Sequence, residues 1–69
     1  MGTNKQHAIE IAQRRANGLG DSVYIVHSVE YEEVYGNRHA YMTMLDHEYD
    51  ETDADVTIVD TVWPDYSHA

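Results

Sequence analysis

The sequence contains no cysteine, which excludes a disulfide scaffold, a cysteine zinc site and a thiol nucleophile. With one proline and four glycines among 69 residues, its composition is not that of a disordered chain. No apolar run approaches the roughly 20 residues that a membrane helix needs, and the N-terminal stretch lacks the apolar core of a signal peptide. We therefore expect one small cytoplasmic domain over residues 1–69, without a membrane partner.

Basic residues are scarce as well. Four Lys and Arg stand against thirteen Asp and Glu, a formal net charge of −9, and no Lys or Arg follows Arg38. Residues 1–20 carry three bases and one acid, a balance of +2, whereas residues 21–69 carry one base and twelve acids, a balance of −11. Such a field repels nucleic acid and favours basic clefts on other proteins. An acidic surface that only keeps the protein soluble, or adapts it to salt, is the alternative explanation.

The N-terminal segment predicts a helix from Thr3 to Ala16. Thr3-x-x-Gln6 fits a capping box, and Gly18 stands where a left-handed helix cap belongs. The apolar positions recur every three or four residues, the spacing of a helix that packs one face against a sheet. This stripe consists of Ala8, Ile11, Ala12, Arg15 and Leu19.

Three later segments predict strands because β-branched and aromatic residues are typical of extended chain. They are SVYIVHS at 22–28, HAYMTML at 39–45 and VTIVDTVW at 56–63. We therefore predict the α+β class, with an N-terminal helix packed on a small antiparallel sheet of three or more strands. The fold has a second short helix if residues 29–37 are helical, which is one of two alternatives for that segment.

Residues 29–37, VEYEEVYGN, fit two structures. As a short helix, the segment places Tyr31, Val34 and Tyr35 on one face and ends at Gly36-Asn37. As an extension of the preceding strand, it alternates apolar residues with glutamates and turns at Gly36-Asn37 in a tight hairpin. The sequence leaves both alternatives open.

The stretch DHEYDETDADV, residues 46–56, begins like a calcium-binding loop. Asp46, Glu48 and Asp50 alternate as the ligands of such a loop do. However, Glu51 occupies the sixth position, where the loop needs glycine, and Thr57 occupies the twelfth, where it needs glutamate. We therefore expect no specific metal site in this stretch.

The five histidines show neither the HExxH motif nor an i, i+4 pair. We expect the histidines to lie on the surface or on strand faces. The alternative is a zinc site built from His39, His47 and a carboxylate. The sequence also lacks GxSxG, P-loop and dinucleotide-binding motifs. Its acids cluster together, whereas general acid–base catalysis needs carboxylates in contrasting environments. We expect no enzyme activity and no cofactor.

Aromatic residues are interleaved with acids in YEEVY at 31–35 and HEYDE at 47–51. Direct binding of nucleic acid needs Lys and Arg at the phosphates, and the chain has too few. Acids spaced along the chain, with aromatic and aliphatic residues between them, instead resemble a strand of phosphates with its bases. The pattern predicts a DNA mimic whose partner is the basic DNA-binding cleft of another protein.

The segments DSVYI, EEVYGNR, YDETDADVTIV and PDY resemble, in order and spacing, blocks of the phage uracil-DNA glycosylase inhibitor family. Members of that family are small acidic DNA mimics. The resemblance extends from about Asp21 to Tyr66, roughly two thirds of the chain, and the family's last hairpin has no counterpart after Tyr66. It implies that the protein blocks the DNA-binding cleft of a host enzyme, with uracil-DNA glycosylase as the first candidate.

The resemblance also implies which residues contact the partner. An acid-Ser-apolar motif enters the enzyme's groove, acids of the next segment meet its phosphate-binding loops, and a cavity between helix and sheet receives an apolar side chain. The matching positions are Asp21, Ser22 and Val23 for the motif; Glu30 and Glu33 for the acids, with Asp50 and Glu51 in the later acidic run; and Ile25, Tyr31, Val34, Tyr35, Leu45, Thr57 and Val59 for the cavity.

This chain departs from the family in three respects. Asp21 is shorter than the family's acid, one residue is inserted between Val26 and Glu30, and Thr57 and the tyrosines make the cavity more polar. Two alternative functions stay open. One is a phage inhibitor of another nucleic-acid enzyme, such as a CRISPR effector or a restriction enzyme. The other is an acidic structural or interaction domain without mimicry, which could associate through an exposed sheet edge.

Overall fold

The structure is a computed structural model that describes residues 2–65. Helix α1 covers Lys5–Leu19, strand β1 Val23–Ser28, helix α2 Val29–Tyr35, strand β2 Tyr41–Met44 and strand β3 Val56–Val62, with short 3-10 turns at Asn37–His39 and Asp46–Glu48. Two helices and a three-stranded antiparallel sheet confirm the α+β class, and residues 29–35 adopt the helical alternative. Within the described residues, neither helix has the length and apolarity needed to cross a membrane.

β1 is the central strand of the sheet, whose order is β2-β1-β3. Both neighbours run antiparallel to β1, so that Tyr24 lies opposite Met44 on one side and Thr61 on the other. The chain therefore has to cross β1 on its way from β2 to β3. This connection is the acidic stretch of the sequence.

The start of α1 differs from the predicted capping box. Asn4 is the N-cap, and its side-chain oxygen accepts a hydrogen bond of 2.8 Å from the backbone N–H of His7. Asparagine caps helices at least as well as threonine does. Thr3 instead pairs with Tyr41 at the outer edge of β2, through backbone hydrogen bonds of 2.7 and 2.9 Å.

The predicted end of α1 at Gly18 is also wrong. The helix continues through Gly18 to Leu19, and Gly20 takes the left-handed conformation with φ of 72°. The N–H of Gly20 donates to the carbonyl of Ala16 at 2.8 Å. Two glycines two positions apart offered alternative caps, and the helix extends to the second.

The core forms where α1 packs on the sheet. Ala8, Ala12 and Ala16 are fully buried against Val23 and Ile25 of β1, which are fully buried as well. Alanine at every fourth position lets the helix backbone approach the sheet closely. The last residue of the predicted stripe, Leu19, is 57% exposed because it ends the helix at a cleft beside Ser22 and Leu45.

β3 contains a bulge at Val59. Ile25 lies opposite Asp60 and Val26 opposite Ile58, so Val59 is an extra residue without a partner on β1. Its side chain is 41% exposed. A bulge and a charged neighbour on an edge strand disfavour pairing with another strand.

We expect Gly2→Ala and Gly18→Ala to change stability in opposite directions. A Cβ at Gly2 would collide with the backbone carbonyls of His39 and Tyr41, the latter at 2.6 Å, and would separate the N-terminal segment from β2. This should cost about 1–2 kcal/mol. A Cβ at Gly18 meets no atom of the described residues within 4 Å, so alanine there should stabilise the helix by about 0.5 kcal/mol. Urea unfolding of both variants tests the pair, and destabilisation by Gly18→Ala would contradict the path of α1.

Candidate acidic interface

The acidic segment, residues 46–55, crosses the sheet on the face opposite α1. Tyr24 and Ser28 alternate along β1 with the residues that pack on α1, so their side chains point to the other face. The hydroxyl of Tyr24 donates to Asp46 at 2.8 Å, at the start of the segment. The hydroxyl of Ser28 donates to Asp55 at 2.6 Å, at its end. The acidic segment therefore follows β1 from one end to the other.

This path gives the segment a high linear charge density. From Tyr24 to Ser28, four residue steps of extended chain span about 13 Å. Six acids occur between Asp46 and Asp55, which corresponds to one charge for about every 2 Å of sheet. One strand of B-DNA carries a charge about every 3.4 Å of its axis, and the duplex about every 1.7 Å. The density of negative charge lies within this range.

Most carboxylates of the acidic segment accept hydrogen bonds that fix its own shape. Glu48 accepts from the N–H of Leu45 at 2.8 Å and from Arg15 at 3.3 Å. Asp50 accepts from the N–H and the hydroxyl of Thr52. Asp53 likewise accepts from the N–H of Asp55 at 3.0 Å. Among the described residues, Glu51 is the acid of this segment whose carboxylate accepts no hydrogen bond.

These bonds shift the pKa values of the groups involved. The N–H of Leu45 lowers the pKa of Glu48, and the hydroxyl and N–H of Thr52 lower the pKa of Asp50. The Ser28 hydroxyl and the N–H of Glu30 lower the pKa of Asp55. All three groups therefore favour the charged form more strongly than an isolated carboxyl does.

Asp55 joins the acidic segment to α2. Its carboxylate accepts from the N–H of Glu30 at 2.7 Å, and its backbone carbonyl accepts from the N–H of Val29 at 3.2 Å. Ser28, the N-cap, accepts from the N–H of Tyr31 at 3.3 Å. A negative charge at a helix N-terminus is favourable. The acidic segment and α2 consequently form one continuous acidic surface.

α2 combines free acids with exposed apolar groups. Val34 is 63% exposed, and the ring of Tyr35 lies between those of Tyr31 and His39, with centroid distances of 5.8 and 6.4 Å. The carboxylates of Glu30 and Glu33 accept no hydrogen bond from the described residues and are exposed. These two acids are therefore free to pair with a cation on another molecule.

A third glutamate of α2 is engaged inside the protein. Glu32 lies 2.8 Å from Nε2 of His27 on β1. Together with the capping by Asp55, this contact ties α2 to the end of the sheet. Glu30 and Glu33 differ from Glu32 in having no such partner in the part of the chain that the structure describes.

The structure divides the predicted partner-binding residues between the two ends of β1. Asp21 and Ser22 precede the strand, whereas α2 with Glu30 and Glu33 follows it, about 20 Å away along six extended residues. Val23, the apolar residue of the motif, is fully buried beneath α1. Asp50 and Glu51 lie on the acidic segment between the two ends.

The seven residues assigned to a cavity are not brought together. Ile25 and Leu45 belong to the core beneath α1. Tyr31, Val34 and Tyr35 lie on α2, which packs chiefly on the 3-10 turn after it instead of covering the sheet. Thr57 and Val59 are exposed on the edge strand β3. Because α1 covers Ile25 and α2 packs elsewhere, these side chains do not line one cavity.

Residues 2–65 contain no group of three or more His, Asp or Glu side chains arranged to hold a metal ion. His39 and His47 lie at opposite ends of β2. Nδ1 of His39 is 3.2 Å from the carbonyl of Gly2, and His47 lines the cleft beside Leu19.

The capping pair Ser28 and Asp55 was missed at the level of sequence. A serine followed by glutamates in the next turn is a recognisable helix start, so Ser28 carried a signal. Asp55 carried none, because it lies 27 residues away in the chain and resembles its acidic neighbours.

In comparisons with known proteins, no family model, curated protein or solved structure matches the chain.

Proposed function

We propose that this protein is an acidic DNA mimic that occupies the basic DNA-binding cleft of an enzyme and thereby excludes DNA. The observation that carries the proposal is the acidic segment, which runs along β1 at the charge density of DNA and continues, through Asp55, into α2. A solubilising surface would not need five of its six carboxylates held in position by internal hydrogen bonds.

The two kinds of group on this surface have different tasks. Long-range attraction between the acidic surface and a basic cleft accelerates the encounter. Charge alone would give a complex that dissociates quickly and weakens with salt. Val34 and Tyr35, exposed beside Glu30 and Glu33, provide the apolar contact that slows dissociation. The protein acts by binding, at equal stoichiometry and without turnover.

Uracil-DNA glycosylase is the first candidate for the partner because the segments DSVYI and EEVYGNR resemble its phage inhibitors. Another phage-targeted nucleic-acid enzyme, a CRISPR effector or a restriction enzyme, is the second candidate. Its basic cleft would be attracted by the same surface. The two candidates differ in which enzyme the protein inhibits, so an inhibition assay distinguishes them.

We expect the protein to abolish uracil release from duplex DNA when titrated to equimolar uracil-DNA glycosylase. Replacing both Glu30 and Glu33 with lysine should slow association by about tenfold or more, because these free acids meet the basic cleft early. Val34→Asp should instead accelerate dissociation, since it places a charge in the apolar contact. Stopped-flow and surface-capture kinetics separate the two rates.

The control for the charge reversal is Glu10→Lys, which changes one charge on α1, on the other face of the sheet. Glu10 is exposed and lies 3.6 Å from His7. This variant should associate at close to the wild-type rate.

Full glycosylase activity at a tenfold excess of the protein would exclude this partner. The same titration against a restriction enzyme or a CRISPR effector would then test the second candidate.

A further inference from the structure

A second feature lies at the end of the sheet remote from α2, where β1 begins. A cleft of about 240 Å³ opens there between the end of α1 and the start of the acidic segment. Its walls are formed by Leu19, Asp21, Ser22, Leu45, Asp46 and His47. The cleft is separate from the α2 surface by the length of β1.

One part of the cleft is apolar and accessible. Leu19 is the last residue of α1, and more than half of its side chain is exposed. Leu45 is half-buried because it packs against the core on its other side. An alkyl chain placed against these two leucines would remove apolar surface from water.

The other part of the cleft is negatively charged. One oxygen of Asp21 accepts the N–H of Ser22, and one oxygen of Asp46 accepts the hydroxyl of Tyr24, each at 2.8 Å. Within residues 2–65, neither carboxylate has another hydrogen-bond donor. Each therefore retains one oxygen for a donor from outside.

The carboxylates of Asp21 and Asp46 both interact electrostatically with the Tyr24 hydroxyl. The pKa of the Tyr24 hydroxyl is raised by the hydrogen bond to Asp46, by the charge of Asp46, by burial and by the charge of Asp21. Asp21 and Asp46 also both line the cleft. A cation in the cleft would interact with both.

We propose that this cleft receives an arginine side chain of a protein partner. The methylene groups of the arginine would lie against Leu19 and Leu45, and its guanidinium would pair with Asp21 and Asp46. A guanidinium presents several N–H donors in one plane, which suits two separate carboxylates better than the compact ammonium of lysine does. The inference rests on the proposed function for the source of the arginine, since basic DNA-binding clefts are rich in this residue.

The test uses the protein alone and a single capped amino acid. N-acetyl-arginine-N-methylamide is titrated while the methyl signals of Leu19 and Leu45 are followed by NMR, in parallel with the citrulline analogue, a neutral molecule of nearly the same shape. The arginine probe should give saturable shifts at these methyl groups, with a dissociation constant on the order of millimolar. The citrulline probe should give none.

Variants identify the groups responsible. Asp21→Asn and Asp46→Asn should each weaken binding by roughly two- to fivefold, as expected for an exposed ion pair. Asp60→Asn, which removes the same charge on β3 outside the cleft, should leave binding unchanged. Equal shifts with citrulline, or non-saturating shifts spread over all the acids, would overturn the proposal. Because no enzyme is present, this result is independent of whether the protein inhibits the glycosylase.

Discussion

Ile25→Ala is expected to remove a large part of the protein's stability. Ile25 lies on the central strand, is fully buried and packs against the alanines of α1. Removing an isoleucine side chain from such a site costs about 2–5 kcal/mol. A domain of this size has a total stability of roughly 3–10 kcal/mol, so the loss is a large part of the total. Far-UV circular dichroism during urea unfolding measures the effect.

Val59→Ala is the matched control for this experiment. Val59 belongs to the neighbouring strand, but it is the bulged residue and much of its side chain is exposed. Its truncation should change the free energy of unfolding by less than about 0.5 kcal/mol. An Ile25→Ala variant within about 1 kcal/mol of the wild type would contradict a core centred between α1 and β1.

The sheet and the first helix could be predicted from sequence because their signals are local. The strands VYIVHS and VTIVDTV are rich in β-branched residues, and the alanines of α1 recur every four positions. The ends of α1 were missed by two and three residues because two residues at each end can cap a helix. Both Thr3 and Asn4 can begin a helix, and both Gly18 and Gly20 can end one.

The structure of residues 29–37 could not be predicted because its decisive contact is remote. The periodicity of VEYEEVYGN fits a helix and a hairpin equally. The carboxylate of Asp55 and the hydroxyl of Ser28 favour the helix by capping its first turn. Gly36, with φ of 84°, then ends the helix instead of forming a hairpin turn.

The same remoteness explains why the proposed surface was only partly foreseen. Glu30 and Glu33 were assigned to this surface by the family resemblance, and both are exposed. Their connection to the acidic segment was not foreseen, because it depends on that segment crossing β1 to reach β3. The cavity expected between helix and sheet required α2 to cover Ile25, and that position is taken by α1.

Ser28 and Asp55 together cap α2. Ser28 is 1% exposed, donates to Asp55 and accepts from the N–H of Tyr31. Ser28→Ala should therefore destabilise the protein by about 1–2 kcal/mol, the cost of losing a buried helix cap. Ser22→Ala is its control, because the Ser22 hydroxyl forms no hydrogen bond within the described residues. Similar losses in both variants would contradict the capping role.

Asp55→Asn should reveal the same contact through its dependence on pH. Folding lowers the pKa of Asp55, so its charge stabilises the folded state above the ordinary aspartate pKa and loses this effect as the pH falls below about 4. The variant should therefore be clearly less stable than the wild type at pH 7, and the difference should shrink as the pH falls from about 4 towards 3. Urea unfolding at both pH values measures the difference.

Asp60→Asn provides the matched comparison, since within residues 2–65 Asp60 accepts a hydrogen bond only from the N–H of the next residue. Its effect on stability should be small at both pH values. Hydrogen exchange locates the effect of Asp55→Asn: the amides of Glu30 and Tyr31 should exchange faster in this variant at pH 7, whereas amides of β1 should not. A loss of stability that is the same at pH 7 and pH 3 would mean that Asp55 contributes packing, not charge, and α2 would then not depend on an ionised cap.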